Sequence, residues 1–274
     1  MDCIFDSNIA TLYGGSILIQ EKNQNYLFTG VTFFNNTANS GGAIFTWENV
    51  NRLSFLSCNF ESNFADEGAA LWLYQQDDDG SIDNCKFIDN KSYGKGGAIV
   101  FQFTHSNWDI RNSMFINNTS IMDNGGAITF SMECANFMFY NNTFASNKAL
   151  AGGAIQSISL SNQLTFDSCV FYNNTASVFS GGAITFGTND KNIQFIDSVF
   201  LENKANLNGG GLYTENTDGL TFTKTNFTKN TAQSGGGLHL GINSSNSYII
   251  NSNFKDNFVF ESGGKFFYTF TLVI

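Results

Sequence analysis

The sequence predicts an all-β fold: a single-stranded right-handed parallel β-helix, a solenoid of about ten coils with three short strands per coil. Three observations support it. A Phe-x-x-Asn pair recurs along the whole chain, a Gly-Gly pair trails it at a short variable distance, and apolar residues alternate with polar ones on both sides of the glycines. The pairs are Phe5/Asn8, Phe33/Asn36, Phe60/Asn63, Phe87/Asn90, Phe115/Asn118, Phe144/Asn147, Phe171/Asn174, Phe200/Asn203, Phe227/Asn230 and Phe254/Asn257, separated by 27 to 29 residues. A fixed period in this range is the signature of stacked supersecondary units. The copies follow one another without a linker, so residues 1–274 are expected to form one solenoid of ten 27–29-residue repeats.

The elements follow in order around one repeat. Five residues before each repeat phenylalanine stand Phe28, Phe55, Ile82, Ile110, Phe139, Phe166, Phe195, Phe222 and Ile249, and two residues earlier come Tyr26, Leu53, Trp108, Phe137, Leu164, Ile193 and Leu220. An i, i+2 alternation is strand periodicity. The apolar spacing then slips from two to three before a second strand, which holds the repeat phenylalanine and the column Cys3, Val31, Cys58, Cys85, Ser113, Asn142, Cys169, Ser198, Thr225 and Ser252. A slip of one residue would turn side chains outward, so the chain must bend there. After the asparagine comes a gap read as a variable loop, then the glycine pair, from Gly14-Gly15 to Gly263-Gly264, with Glu67 standing for the first glycine in the third copy. A third strand follows, with Ile17, Ile44, Ile99, Ile128, Ile155, Ile184, Leu212 and Leu238 inward. Coils stacked about 4.8 Å apart make a rod ~50 Å long.

The ten asparagines, Asn8 to Asn257, are predicted to form a ladder, each side-chain amide bonding the next. Each rung is worth about 0.5 to 1.5 kcal/mol net, and asparagine also tolerates a left-handed corner. Thirty phenylalanines supply a long core, and the absence of proline suits a backbone whose N–H groups are needed in ladders. The net charge of −10 argues against nucleic acid and anionic lipid as partners. No basic region with an apolar run opens the chain, the nine residues from Phe266 are too short to span a bilayer, and neither end has the polar cap of a solenoid. The sequence is therefore expected to be a piece of a longer chain.

The phased tetrapeptides, with Phe33/Asn36 before Gly41 to Ile44 and Phe171/Asn174 before Gly181 to Ile184, resemble the repeat of the chlamydial polymorphic outer-membrane proteins. Repeats of this type also occur in predicted surface proteins of microbial eukaryotes. The resemblance covers essentially the whole chain. It implies an extracellular or cell-surface adhesin-like stalk, membrane-associated in the full-length protein through segments absent here, with a surface receptor or glycan as partner. The family's carboxy-terminal membrane barrel has no counterpart in these residues.

No residue pattern requires a cofactor or metal. Cys3, Cys58, Cys85 and Cys169 read as small core filler, with Cys134 elsewhere, and Cys58 and Cys85 lie in neighbouring coils. Eight asparagines begin N-x-S/T sequons: Asn35, Asn90, Asn117, Asn118, Asn141, Asn173, Asn226 and Asn243. Asn90 and Asn118 belong to the ladder, which leaves Asn243 as the glycosylation candidate. One region suggests chemistry: Asp77-Asp78-Asp79 with His105 one coil later and Asp109 and Glu133 nearby, an acid/base or calcium arrangement. The expectation is a recognition protein without catalysis. The alternative is a β-helical carbohydrate-active enzyme, of polysaccharide lyase or glycoside hydrolase type, using Asp77, Asp79 and His105, or a carbohydrate-binding module. Trp47, Trp72 and Trp108 fall mostly in apolar columns.

Overall fold

The computed structural model describes residues 3–20, 25–260 and the backbone of 266–267. The Gly263-Gly264 pair and the rest of the segment from Phe266 lie outside the described residues. The chain winds into a parallel solenoid with three walls. The phenylalanine wall has ten strands, from Ile4–Asp6 to Asn253–Lys255, in strict sequence order. Its register pairs each repeat phenylalanine with the next, as Phe87 with Phe60 and Phe115. The rings form one unbroken stack from Phe5 to Phe254, with centroids between 4.5 and 5.0 Å apart. Each offset-stacked pair adds about 0.5 to 1.5 kcal/mol beyond burial.

The strand after the glycines and the strand before the next phenylalanine share a single wall of 18 strands. In the middle of the rod they run almost end to end, as Ile99–Phe103 and Ser106–Arg111 do. The third wall comes from the gap read as a loop. Short strands such as Thr37–Ser40, Lys148–Ala149 and Thr175–Ala176 stack there. They bury a column of small residues, Ala38, Ala65, Ser92, Ser120, Ala149, Ala176, Ala205 and Ala232.

Four columns besides the first glycine are left-handed: one falls eight residues before the repeat phenylalanine, as at Arg52, Asp79 and Asn107, and three stand at corners, each just before an inward residue. One corner lies three residues before the repeat phenylalanine, as at Ser57, Asn84 and Asn112, and one two residues after it, as at Ser62, Asp89 and Asn117. The third ends the strand that follows the glycines, as at Asn49, Gln76 and Thr104, and the first glycine of each pair is left-handed as well. The ladder asparagines themselves are not left-handed. The strained residue is the one before each of them, and it is Ser, Asn, Asp, Glu or Lys by turns. The glycine alignment of the third copy also shifts. Gly68, at φ 59°, is the first glycine and Ala69 takes the second place, because Leu71 pairs with Ile44; Glu67 lies one residue earlier, in the third wall.

Candidate functional site

A left-handed residue followed by an inward one leaves the inward residue's N–H pointing along the rod without a strand partner. Buried N–H groups need acceptors. At all three corners the acceptor is the side chain of the equivalent residue one coil later.

The asparagine corner is the most regular. Asn147 shows the pattern: its Oδ1 accepts the Asn118 backbone N–H and the Asn118 side-chain amide, both at 3.0 Å. Its own amide donates to Asn174 Oδ1 at 3.0 Å and to the carbonyl of Phe115 at 2.9 Å. Side-chain bonds join Asn8, Asn36, Asn63, Asn90, Asn118, Asn147, Asn174, Asn203, Asn230 and Asn257 in one series. Each rung therefore involves the backbone as well as the neighbouring amide. The second corner uses whatever acceptor stands in the mixed column: Cys58 N–H donates to Cys85 Sγ, Cys85 N–H to Ser113 Oγ, and Ser113 N–H to Asn142 Oδ1, at 3.3, 3.0 and 2.9 Å. The cysteines are free thiols, and Cys58, Cys85, Cys134 and Cys169 are buried while Cys3 is exposed. Burial pushes the Cys169 thiol up to about 12.

Asp77 and His105 occupy the third corner. The Val50 N–H donates to Asp77 Oδ1 at 2.8 Å, and the Thr46 hydroxyl bonds Asp77 Oδ2. The Asp77 N–H in turn donates to His105 Nδ1 at 3.3 Å, which leaves Nε2–H to donate to the Leu73 carbonyl at 3.1 Å. The carboxyl is held against the preceding coil and the imidazole against backbone, and no hydrogen bond joins the two side chains. Both residues are fully buried. Burial raises the Asp77 carboxyl to about 7 and lowers His105 to about 4, so both favour their neutral forms. A general acid or base must reach substrate, and this pair is sealed in the core.

Asp79 is exposed and accepts from Asn107 at 3.0 Å, while Asp78 binds the Ser106 N–H and hydroxyl at 2.7 and 2.9 Å. Asp109 pairs with Arg111 at the surface, and Glu133 is exposed. The predicted cluster is thus divided between core and surface. Among the described residues no group of acidic, histidine or cysteine side chains is arranged to hold a metal ion. The irregularity of this region has a packing cause. Gly80 stands where other coils have Leu53 or Phe137, and the Trp108 ring of the next coil fills the space, within 2.4 Å of where a Cβ at Gly80 would lie. The Trp108 N–H donates to the Asp77 carbonyl at 2.6 Å.

Asp190 is the third-corner acid that the sequence reading missed. It lies five residues before Phe195, as Asp77 lies five before Ile82, and that phase was the available signal. Its Oδ1 accepts the Ser161 N–H at 2.7 Å and the Ser157 hydroxyl at 2.9 Å, its Oδ2 is buried without a partner, and burial raises it to about 6. Of the sequon asparagines, Asn90 and Asn118 are buried. Asn35, Asn117, Asn141, Asn173 and Asn243 are exposed, and Asn226 is half-buried. The first four of the exposed group donate their amides to a neighbouring coil.

Trp47 and Trp72 point away from the core. They lie on the outer face of the glycine wall with Tyr13, Phe45, Tyr74 and Val100, in a cluster separate from the interior.

Comparison with known families gives two matches. Residues 1–144 match the right-handed β-helix region. Residues 197–215, which include Phe200, Asn203 and Gly209-Gly210, match the Chlamydia polymorphic membrane protein repeat. No curated protein matches the chain.

Proposed function

Since the chain belongs to the right-handed β-helix family, we propose that this member is an adhesive surface rod that displays variable loops and has no chemistry of its own. The observation behind this reading is the corner between the small-residue wall and the glycine wall, where coils differ in length. Loops there leave Tyr93, Met122, Val178 and Phe179 at 52%, 70%, 42% and 48% exposure. Large apolar side chains this open, on loops of nearby coils, are of no use to the core and have the character of an interaction surface. The recurring residues, by contrast, are engaged in stacking and corner bonding. The polysaccharide-cleaving alternative drew on Asp77, Asp79 and His105, and the burial of two of them weakens its motive.

Placement at the cell surface, with a receptor or glycan as partner, is supported by the likeness to the chlamydial repeat. Among the described residues no helix is long and apolar enough to cross a membrane, and attachment would lie in other segments. Beads coated with the protein and offered to a panel of animal, plant and microbial cells test the reading. Wild-type beads should adhere to at least one cell type, and the double variant Met122→Ser, Phe179→Ser should adhere less at unchanged thermal midpoint. Equal adhesion by the variant would overturn the loop reading, and no adhesion to any cell would overturn the adhesive one.

A further inference from the structure

The outer face of the phenylalanine wall is apolar where the fold does not require it. The residues on either side of each repeat phenylalanine point outward, and the register stacks them in two columns along the rod. Coils are numbered here by their phenylalanine, from Phe5 in the first to Phe254 in the tenth. In coils four to eight the column after the phenylalanine reads Ile88, Ile116, Ala145, Tyr172 and Leu201. In coils five to eight the column before it reads Met114, Thr143, Val170 and Val199. None of these is buried, and Met114 and Tyr172 are 37% and 40% exposed. The same columns hold Asn59, Glu61 and Lys86 toward one end of the rod and Asn226, Thr228, Asn253 and Lys255 toward the other, so the wall accepts polar residues. A contiguous exposed apolar patch with a polar rim marks an interaction site. Although the chain carries a net charge of −10, Glu61 is the only acid in these two columns from coil three to coil ten. Successive phenylalanine rings beneath the face lie within 13° of parallel, so the wall twists little from coil to coil.

We propose that this face is the contact between two copies of the chain, packed with their rods antiparallel. A twofold axis running along the strands keeps each column opposite its own counterpart and reverses the order of the coils. Centred between coils six and seven, it sets coil three against ten, four against nine, five against eight and six against seven. Ala145 then faces Tyr172 of the other copy, small against large, at the centre. Ile116 faces Leu201, Met114 faces Val199, and Glu61 faces Lys255 at both ends. Parallel rods would instead oppose the two columns, set Lys86 against Ile88, and leave Glu61 and Lys255 without opposite charges. Coils three to ten span about 38 Å, and the wall from corner to corner is about 17 Å wide. That is about 650 Å² per copy and ~1,300 Å² in all, within the size class of specific interfaces. Salt near 0.15 M screens the repulsion between the acidic remainders of the two chains beyond about 8 Å. The exposed loops of Met122 and Phe179 lie at the corner opposite this wall, so the pair presents them on both of its sides. The inference does not rest on the adhesive reading.

Sedimentation equilibrium of the unglycosylated chain in about 0.15 M salt, from micromolar to near-millimolar concentration, tests it. A reversible dimer is expected. Glu61→Lys places lysine against Lys255 at both ends and should weaken dimerisation about tenfold, Lys255→Glu should do the same from the other side, and the double variant should return to within about threefold of the wild type. Leu201→Asp, which puts a charge inside the contact, should leave only monomer at unchanged thermal midpoint. If Leu201→Asp does not fold, the charge exchange at the two ends of the face gives the reading. A monomer at every concentration would overturn the contact. So would a dimer that none of the single variants weakens, or a double variant that associates no better than the single ones. A monomer that binds phosphatidylcholine vesicles, with binding lost in Leu201→Asp, would assign the face to lipid and overturn the proposal as well. Cell adhesion by a chain that stays monomeric would remove the dimer and leave the loop reading standing.

Discussion

Replacing Asn147 by alanine should destabilise the rod well beyond an ordinary surface change. The substitution removes two donated and two accepted hydrogen bonds, between 2.9 and 3.0 Å, and leaves the buried Asn118 N–H without its acceptor. At about 1 kcal/mol net per bond, with the orphaned donor at the upper end of that scale, the loss is about 3 to 4 kcal/mol. The control is Asn173→Gly, one coil later, at an exposed left-handed residue beside the ladder (φ 53°), where a change within ~0.5 kcal/mol is expected. Guanidinium unfolding followed by circular dichroism gives the stability. Solenoids depart from two-state unfolding, so hydrogen exchange at the Asn118 amide is read beside it and should accelerate in Asn147→Ala alone. Asn147→Asp sharpens the point, because a carboxylate sets oxygen against the Phe115 carbonyl and Asn174 Oδ1; it should be worse than alanine at pH 7 and recover on acidification. Asn147→Ala and Asn173→Gly of equal stability, with unchanged exchange at Asn118, would refute the corner-capping argument.

Further outcomes follow from the other corners. The Asp77 carboxyl is raised from 3.8 to about 7, so its contribution is fully present below pH 3.8 and is lost as pH rises through 7, a fall of about 4 kcal/mol at most. Asp190, raised to about 6, acts in the same direction. His105, lowered from 6.5 to about 4, contributes above 6.5 and loses that contribution as pH falls through 4. Guanidinium midpoints at pH 4.5 and 7.5 should therefore differ less in Asp77→Asn than in the wild type, and the same pH dependence in both would contradict the burial argument. Gly181→Ala, at φ 70° with a Cβ 2.1 Å from Thr185 Oγ1 and 2.3 Å from the Ile184 carbonyl, should cost at least ~3 kcal/mol by thermal unfolding. Gly30→Ala, at φ 62° with open space, should cost only about 1 kcal/mol. Cys85→Ser keeps an acceptor for the Cys58 N–H and should stay within ~1 kcal/mol in denaturant unfolding, while Cys85→Val orphans that donor at about 1 to 3 kcal/mol.

The sequence announces what repeats with large side chains. Phe171 and Asn174 hold phase with nine sisters, and stacking one coil on the next follows from the period alone. The small-residue wall left no such mark, because two-residue strands such as Thr175–Ala176 have no alternation to detect. Left-handed corners were invisible for a related reason: Ser62, Asp89, Asn117 and Lys229 share a conformation and no chemistry. Periodicity also fails to tell inside from outside where both faces are apolar, and Ile44-Phe45-Thr46-Trp47 is such a stretch, so Trp47 and Trp72 read as core. Asp77 and His105 were visible as chemistry, but their burial depended on a corner geometry that only the fold reveals.

Under the proposed function the recurring and buried polar residues belong to the scaffold, and recognition rests on what the coils expose. Release of reducing ends or unsaturated sugars from a panel of plant and microbial polysaccharides, by wild type beside Asp77→Asn, tests it most directly. The expected result is no turnover by either protein, with the substitution changing only stability and its pH dependence. Cleavage by the wild type that disappears in a folded Asp77→Asn variant would contradict it.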